Sequence, residues 1–158
     1  MDAVRGNGIW KTTDGGASWN QLTSTTSSTF YNVQKIVVSS NGNVYAATRD
    51  GGLRRSTDGG TTWTQVLSGR AADLEIAADG TLFATIGIFS SGGIYSSSDG
   101  TIWNLIYDSA TDEERIEIAC APSNSNRLYA MVQDASTAGL KKIMQSTNKG
   151  VTWTSVTK

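Results

Sequence analysis

The sequence predicts an all-β repeat protein built from four-stranded antiparallel units, and three observations lead there. A turn motif occurs four times, as TTDGGASW at residues 12–19, STDGGTTW at 56–63, SSDGTIW at 97–103 and STNKGVTW at 146–153. Its closing tryptophans, Trp19, Trp63, Trp103 and Trp153, follow one another at steps of 44, 40 and 50 residues, the spacing of a repeat whose unit is one small sheet. Between the motifs the 158 residues carry 17 glycines, one proline and many Ser, Thr and Asn residues, as short strands joined by tight turns require. Helix is expected to be nearly absent.

The motif is a turn for physical reasons. Asp14 and Asp58 each precede a Gly-Gly pair, so a carboxylate accepts hydrogen bonds from the backbone just ahead while glycine takes the positive φ that other residues resist. The Ser or Thr two places earlier ends one strand. The Trp five places later opens the next, and burial of its ring is the largest single contact the motif offers. In the fourth copy Asn148 replaces the Asp, and its amide oxygen still accepts hydrogen bonds. The third copy is one residue short, so either Ser98 or Asp99 fills the acidic slot. Asp99 is preferred, because Ile94 then matches Ile9, Leu53 and Ile143, whereas a one-residue slip would turn that strand's apolar face outward.

The strands follow in order. A half unit has strands at 8–12 and 18–22. Three full units have strands at 33–39, 43–48, 52–56 and 62–67; at 73–77, 81–86, 93–96 and 102–107; and at 115–121, 127–132, 140–146 and 152–156. The second strands repeat as Val44-Tyr45-Ala46, Leu82-Phe83-Ala84 and Leu128-Tyr129-Ala130, and Asn41-Gly42 and Asp79-Gly80 supply two-residue hairpin turns. The chain thus divides into 1–22 (half unit), 30–67, 72–107 and 114–158 within one partial domain, 1–158. Trp10 shares its position with Arg54, Tyr95 and Met144, on the face opposite the Ile9 set. At an open edge it is expected to be exposed.

The pattern [ST]-x-D-x-G-x-x-W resembles the Asp-box, or BNR repeat, and the resemblance runs through all four units; the PSNSN loop at 122–126 is also similar to one common in such repeats. The resemblance implies a β-propeller of four-stranded blades, about three and a half of them present, with structural box residues Asp14, Trp19, Asp58, Trp63, Asp99, Trp103, Asn148 and Trp153. Proteins with these boxes include sialidases, xyloglucanases, sortilin-type receptors and a photosystem II assembly factor, so the motif marks a fold and not an activity. Closed propellers hold four to eight blades. An arc of three and a half therefore belongs to a longer propeller or self-associates. The boxes lie on one rim, and ligands of such propellers meet the opposite loops, which here carry Phe30, Tyr31, Arg49, Asp50, Arg70, Phe89, Asp112, Glu113, Glu114 and Asp134.

Composition narrows the function. A net charge of −1 lacks the basic footprint of a nucleic-acid binder. One cysteine, Cys120, and no histidine remove disulfide frameworks, cysteine zinc clusters and imidazole bases. The acidic run Asp112-Glu113-Glu114 lacks the spacing of a calcium loop and reads as a solvated loop, as the pairs Arg54-Arg55 and Lys141-Lys142 read as solvated surface. No metal or cofactor is expected. No apolar run is long enough to span a membrane, and no signal segment is visible; the resemblance favours an extracellular or periplasmic site. Arg49, Arg70, Arg115 and Tyr31 offer sialidase-like groups, but that family's Arg-Ile-Pro signature is absent and the only proline is Pro122. The reading is a non-catalytic module binding a protein or glycan through its loop face. Its alternative is a fragment of a secreted glycoside hydrolase, xyloglucanase-like or sialidase-like, with catalytic residues outside this chain.

Overall fold

A computed structural model describes residues 5–156. Strand β1 (Trp10–Lys11) pairs with β2 (Asn20–Gln21). After two single 3-10 turns, Thr23–Thr25 and Ser28–Phe30, come three antiparallel sheets. The first holds β3 (Val33–Val38), β4 (Val44–Thr48), β5 (Gly52–Ser56) and β6 (Thr64–Leu67). The second holds β7 (Ala71–Ile76), β8 (Leu82–Ile86), β9 (Gly93–Ser97) and β10 (Asn104–Asp108). The third holds β11 (Glu113–Cys120), β12 (Leu128–Asp134), β13 (Leu140–Ser146) and β14 (Thr154–Ser155). Each sheet is a meander, and β7 and β11, the first strands of the second and third sheets, each contact the sheet before. The chain is an all-β partial propeller.

Burial follows from strand alternation. Leu53 faces forward from its blade into a cluster with Tyr45, Ala47, Leu74, Leu82 and Ala84. One blade on, Phe83 and Ile94 face forward against Ile116, Ile118, Leu128, Ala130 and Met144. Ile9 does the same against Phe30 and Ala46. At the ends the stacking stops. Trp10, 49% exposed, points back from β1 into solvent, and Met131, 51% exposed, points forward from the last blade.

The motif turns have the bonding their sequence implies. Asp58 accepts from the Ser56 hydroxyl at 2.8 Å, the Thr62 N–H at 2.9 Å and the Thr62 hydroxyl at 2.6 Å, while Gly60 N–H donates to Ser56 at 2.8 Å. Asn148 reproduces the set, its amide donating to the Thr152 hydroxyl at 2.9 Å. In the short copy Ser97 donates to Asp99 at 3.1 Å, but Gly100 and Ile102 lie only three residues beyond their acceptors. The residue is therefore lost after Asp99, and Ile94 keeps its buried side.

Several expectations change. The half unit's strands are two residues each, because pairing closes only at Trp10↔Gln21 and Lys11↔Asn20. Strand β7 starts at Ala71, two residues early, and β11 at Glu113, because pairing resumes beyond a bulge as Ala71↔Ile86 and Glu113↔Asp134. Glu113 is accordingly no solvated loop residue but 2% exposed. The basic pairs are engaged as well: Arg54 donates to the Gly51 carbonyl at 2.7 Å, Arg55 to Thr101 at 2.6 Å, and Lys141 and Lys142 pair with Asp112 and Glu113.

Candidate functional site

Because strands alternate direction, the 2–3 connections and the blade-to-blade connections share the end opposite the motif turns. Hydrogen bonds tie them together within each blade: Arg49 N–H to Asn32 O at 2.9 Å, Gly87 N–H to Arg70 O at 2.9 Å, and Ala135 N–H to Asp112 O at 3.1 Å. Two charged groups sit there. In the first, Asn32 donates to Asp50 at 2.8 Å and Arg49 pairs with Asp50 at 3.2 Å. The Arg49 guanidinium, more than partial burial opposes, holds the Asp50 carboxyl below its ordinary range. Arg70 reaches the Ile88 carbonyl at 3.3 Å, and beside it Phe89 stands 60% exposed at φ 58°, a left-handed backbone that a bulky residue rarely adopts.

The second group centres on Glu113, which accepts from the Tyr107 hydroxyl at 2.6 Å and pairs with Lys142 at 2.5 Å. Burial pushes its carboxyl up, but Lys142, Tyr107 and the Ala110 N–H together hold it below the usual value. Asp112 and Asp134 both face Lys141, and Asp134 also accepts from Ser136 and Thr137. Glu114 lies half-buried in β11. Phe30 leaves the ligand face: it is 4% exposed and meets Trp63 edge-on, ring centroids 5.4 Å apart, because the 3-10 turn at Ser28–Phe30 folds it inward. Tyr31 lies under the Arg5 guanidinium, 4.1 Å from its ring centre.

Sequence reasoning missed a third feature. The innermost strands β3, β7 and β11 carry charges on one rung, Lys35, Asp73 and Glu117, paired respectively with Ala47, Thr85 and Met131. They line a cavity of about 600 Å³ together with Glu75, Arg115 and Gln34. Lys35 bonds Glu75 at 2.8 Å, and Arg115 bonds Glu117 at 2.6 Å. Burial, followed by the Asp73 charge, pushes the Glu117 carboxyl up despite Arg115. The signal was present in the sequence, since inner strands covered on both faces should read as near-continuous apolar runs, and these are interrupted by charges. Such a cavity offers both donors and acceptors. Among the described residues no group of three or more His, Cys, Asp or Glu side chains is placed to hold a metal ion. Nor, among the described residues, is any helix long and apolar enough to cross a membrane.

No protein-family model and no curated protein sequence matches the chain. Among solved structures it is similar to the GH74 enzyme of Niastella koreensis, at a TM-score of 0.76 and 24% identity over 94% of this chain and 26% of that one. It is also similar to YCF48 from Cyanidioschyzon merolae, at a TM-score of 0.58 and 15% identity over 94% of this chain and 52% of that one. The chain thus spans about a quarter of the first relative's length and about half of the second's. Both likenesses are likenesses of fold.

Proposed function

We propose that this chain is a non-catalytic Asp-box β-propeller module, one partial propeller over residues 1–158 divided as the motifs divide it, that binds a protein or glycan through its loop face. The carrying observation is Phe89, an exposed aromatic held in a left-handed backbone next to Ile88, whose carbonyl Arg70 reaches, the Arg70 charge being felt in turn at Asp50. Backbone strain kept on a surface loop is a mark of a binding site. An aromatic plane beside fixed charges suits a sugar ring or a peptide side chain. The box residues Asp14, Asp58, Asp99 and Asn148, with their tryptophans, are assigned to turn structure. No nucleic acid, metal or cofactor is part of the proposal. The test is a glycan array followed by titration of the chain and its Phe89→Ala and Arg70→Ala variants against any hit. Binding that survives both substitutions unchanged overturns the loop-face assignment.

A second reading is a segment of a longer glycoside hydrolase whose catalytic residues lie outside these residues. Its support is the fold likeness to an enzyme of which the chain covers 26%, together with sheet faces left open at both ends. Further blades of one propeller, or a second copy of the chain, would cover those faces. Turnover of xyloglucan by the 158-residue chain alone, lost on changing one of its own loop carboxylates, counts against both readings.

A further inference from the structure

Resting on the loop-face reading above, we infer that the 87–92 loop is a rigid knob and that its occupant is a protein, with Phe89 inserted into an apolar pocket on that partner. A glycan is set aside at this loop on grounds of shape and chemistry.

The loop is closed and tied at its neck. Ile86 pairs with Gly93, and a Cβ on Gly92 would collide with the Ile86 carbonyl, so the two sides approach as only glycine permits. Gly92 N–H donates to the Ser109 hydroxyl at 2.6 Å, and Ser109 N–H donates to the Gly92 carbonyl at 3.1 Å. On the other side Gly87 N–H donates to the Arg70 carbonyl at 2.9 Å, and the Arg70 guanidinium reaches the Ile88 carbonyl at 3.3 Å. Ile88 itself is 1% exposed. Phe89 is therefore displayed by a loop pinned from inside and tied to the connections before and after it, the compact closed form that functional surface loops often take.

What the loop displays is apolar and has no polar tip. Among the 2–3 connections at 49–51, 87–92 and 135–139, Phe89 is the single aromatic, and it is 60% exposed. A Phe ring carries no hydroxyl or N–H to leave in water, so it gains only from apolar cover. A sugar stacked on one ring face would leave the ring edge wet, whereas a side-chain pocket encloses it.

The tip also lies outside the hollows of the molecule. The axial cavity, a hollow on the last sheet and another beside β1 are all lined by residues other than 87–92. A small-ligand site is concave and places several polar groups precisely. Here Ser90 and Ser91 are exposed, their hydroxyls bond nothing among the described residues, and Arg70 is turned to the Ile88 carbonyl.

An exposed aromatic held in one conformation has the form of an interface anchor. Anchors of this kind fill a pocket on the partner and carry a large share of the binding energy, and a loop already fixed loses little freedom on binding. The φ of 58° at Phe89 works against local stability. Glycine would hold that backbone without strain, so the ring stands there against the backbone's own preference.

The test places the photoreactive residue p-benzoylphenylalanine at position 89 of the 158-residue chain, or at the exposed Thr61 of a motif turn on the opposite rim, and irradiates each in an extract of cells that make the chain. The expected result is a protease-sensitive adduct of one discrete mass from position 89 and none from position 61. Excess parent chain should cut its yield at least about tenfold, and excess Phe89→Gly chain should not; circular dichroism should show that variant melting no lower than the parent, since glycine relieves the backbone. Ser109→Ala, which frees the Gly92 N–H and leaves Phe89 in place, should speed hydrogen exchange at Gly92 and compete less well than the parent. Absence of an adduct, equal adducts at both positions, or equal competition by the Phe89→Gly chain overturns the proposal. A glycan on an array that binds the parent and not Phe89→Gly overturns the protein partner alone and leaves the loop-face reading standing.

Discussion

Asp73 on β7 accepts a hydrogen bond from the backbone N–H of Ile118 on β11, 3.0 Å away, and so joins the innermost strands of two successive blades. The Thr85 hydroxyl makes the reciprocal link, donating to the Ile116 carbonyl at 2.7 Å. Both side chains are buried. Removing either partner strands a backbone group in the interior, so Asp73→Leu and Thr85→Val should each cost about 1–3 kcal/mol in urea unfolding. Loss of less than about 0.5 kcal/mol in both would show that stacked apolar faces alone hold the blades.

The four motif tryptophans are chemically alike but should differ in energy. Trp63 packs back on Phe30, and Trp153 packs back on Tyr107 with centroids 6.3 Å apart. Trp19 has no blade packed behind it among the described residues and is 57% exposed. Trp63→Ala and Trp153→Ala should therefore lose about 3–5 kcal/mol, while Trp19→Ala should stay within about 1 kcal/mol. Equal losses would mean that the indole acts on its own hairpin and not on the neighbouring blade.

Acid should loosen the motif turns. Hydroxyl and N–H donors from Thr62 hold the Asp58 carboxyl down to about 2, and Lys149 does the same to Asp79. Ser18 depresses Asp14 in the same direction. A carboxyl whose folded value is depressed contributes stability above its unfolded value, near 3.8, and loses it as pH falls toward the folded one. The melting temperature should fall between about pH 4 and pH 2. Asp58→Asn, which copies the bonds Asn148 already makes, should flatten part of that slope. An unchanged slope would remove the turn carboxylates as its cause.

The blade plan was legible because its signals are local. A four-fold turn motif with fixed glycines and a repeated aliphatic–aromatic–Ala strand sets strand order, register and the side on which Ile94 is buried. The candidate site was less legible because it depends on contacts between blades. Phe30 lies within a connection that reads as a ligand loop, yet a 3-10 turn sends it under Trp63. Glu113 sits in an acidic run that reads as solvated, but Tyr107 and Lys142, 6 and 29 residues away, draw it into the sheet. Lys35, Asp73 and Glu117 share a rung across 82 residues, and no single strand shows that they meet.

Glu117 should titrate with the opposite sign to the motif carboxylates. Its carboxyl is raised, first by burial and then by the Asp73 charge, while Arg115 at 2.6 Å opposes the shift only in part. A carboxyl whose folded value lies above its unfolded value near 4.5 favours the folded state while protonated. That contribution is complete below about pH 4.5 and is lost as pH rises through the folded value. Glu117→Gln keeps a hydrogen-bonding side chain and removes the titration, so its melting temperature relative to the parent should climb as pH rises from about 4.5 toward neutrality. Side-chain carbonyl NMR of the parent should place the Glu117 midpoint above 4.5. A midpoint at or below 4.5, with a parent–variant difference that does not change with pH, would show that Arg115 and Lys35 outweigh burial and that the axial cavity holds a permanently charged carboxylate.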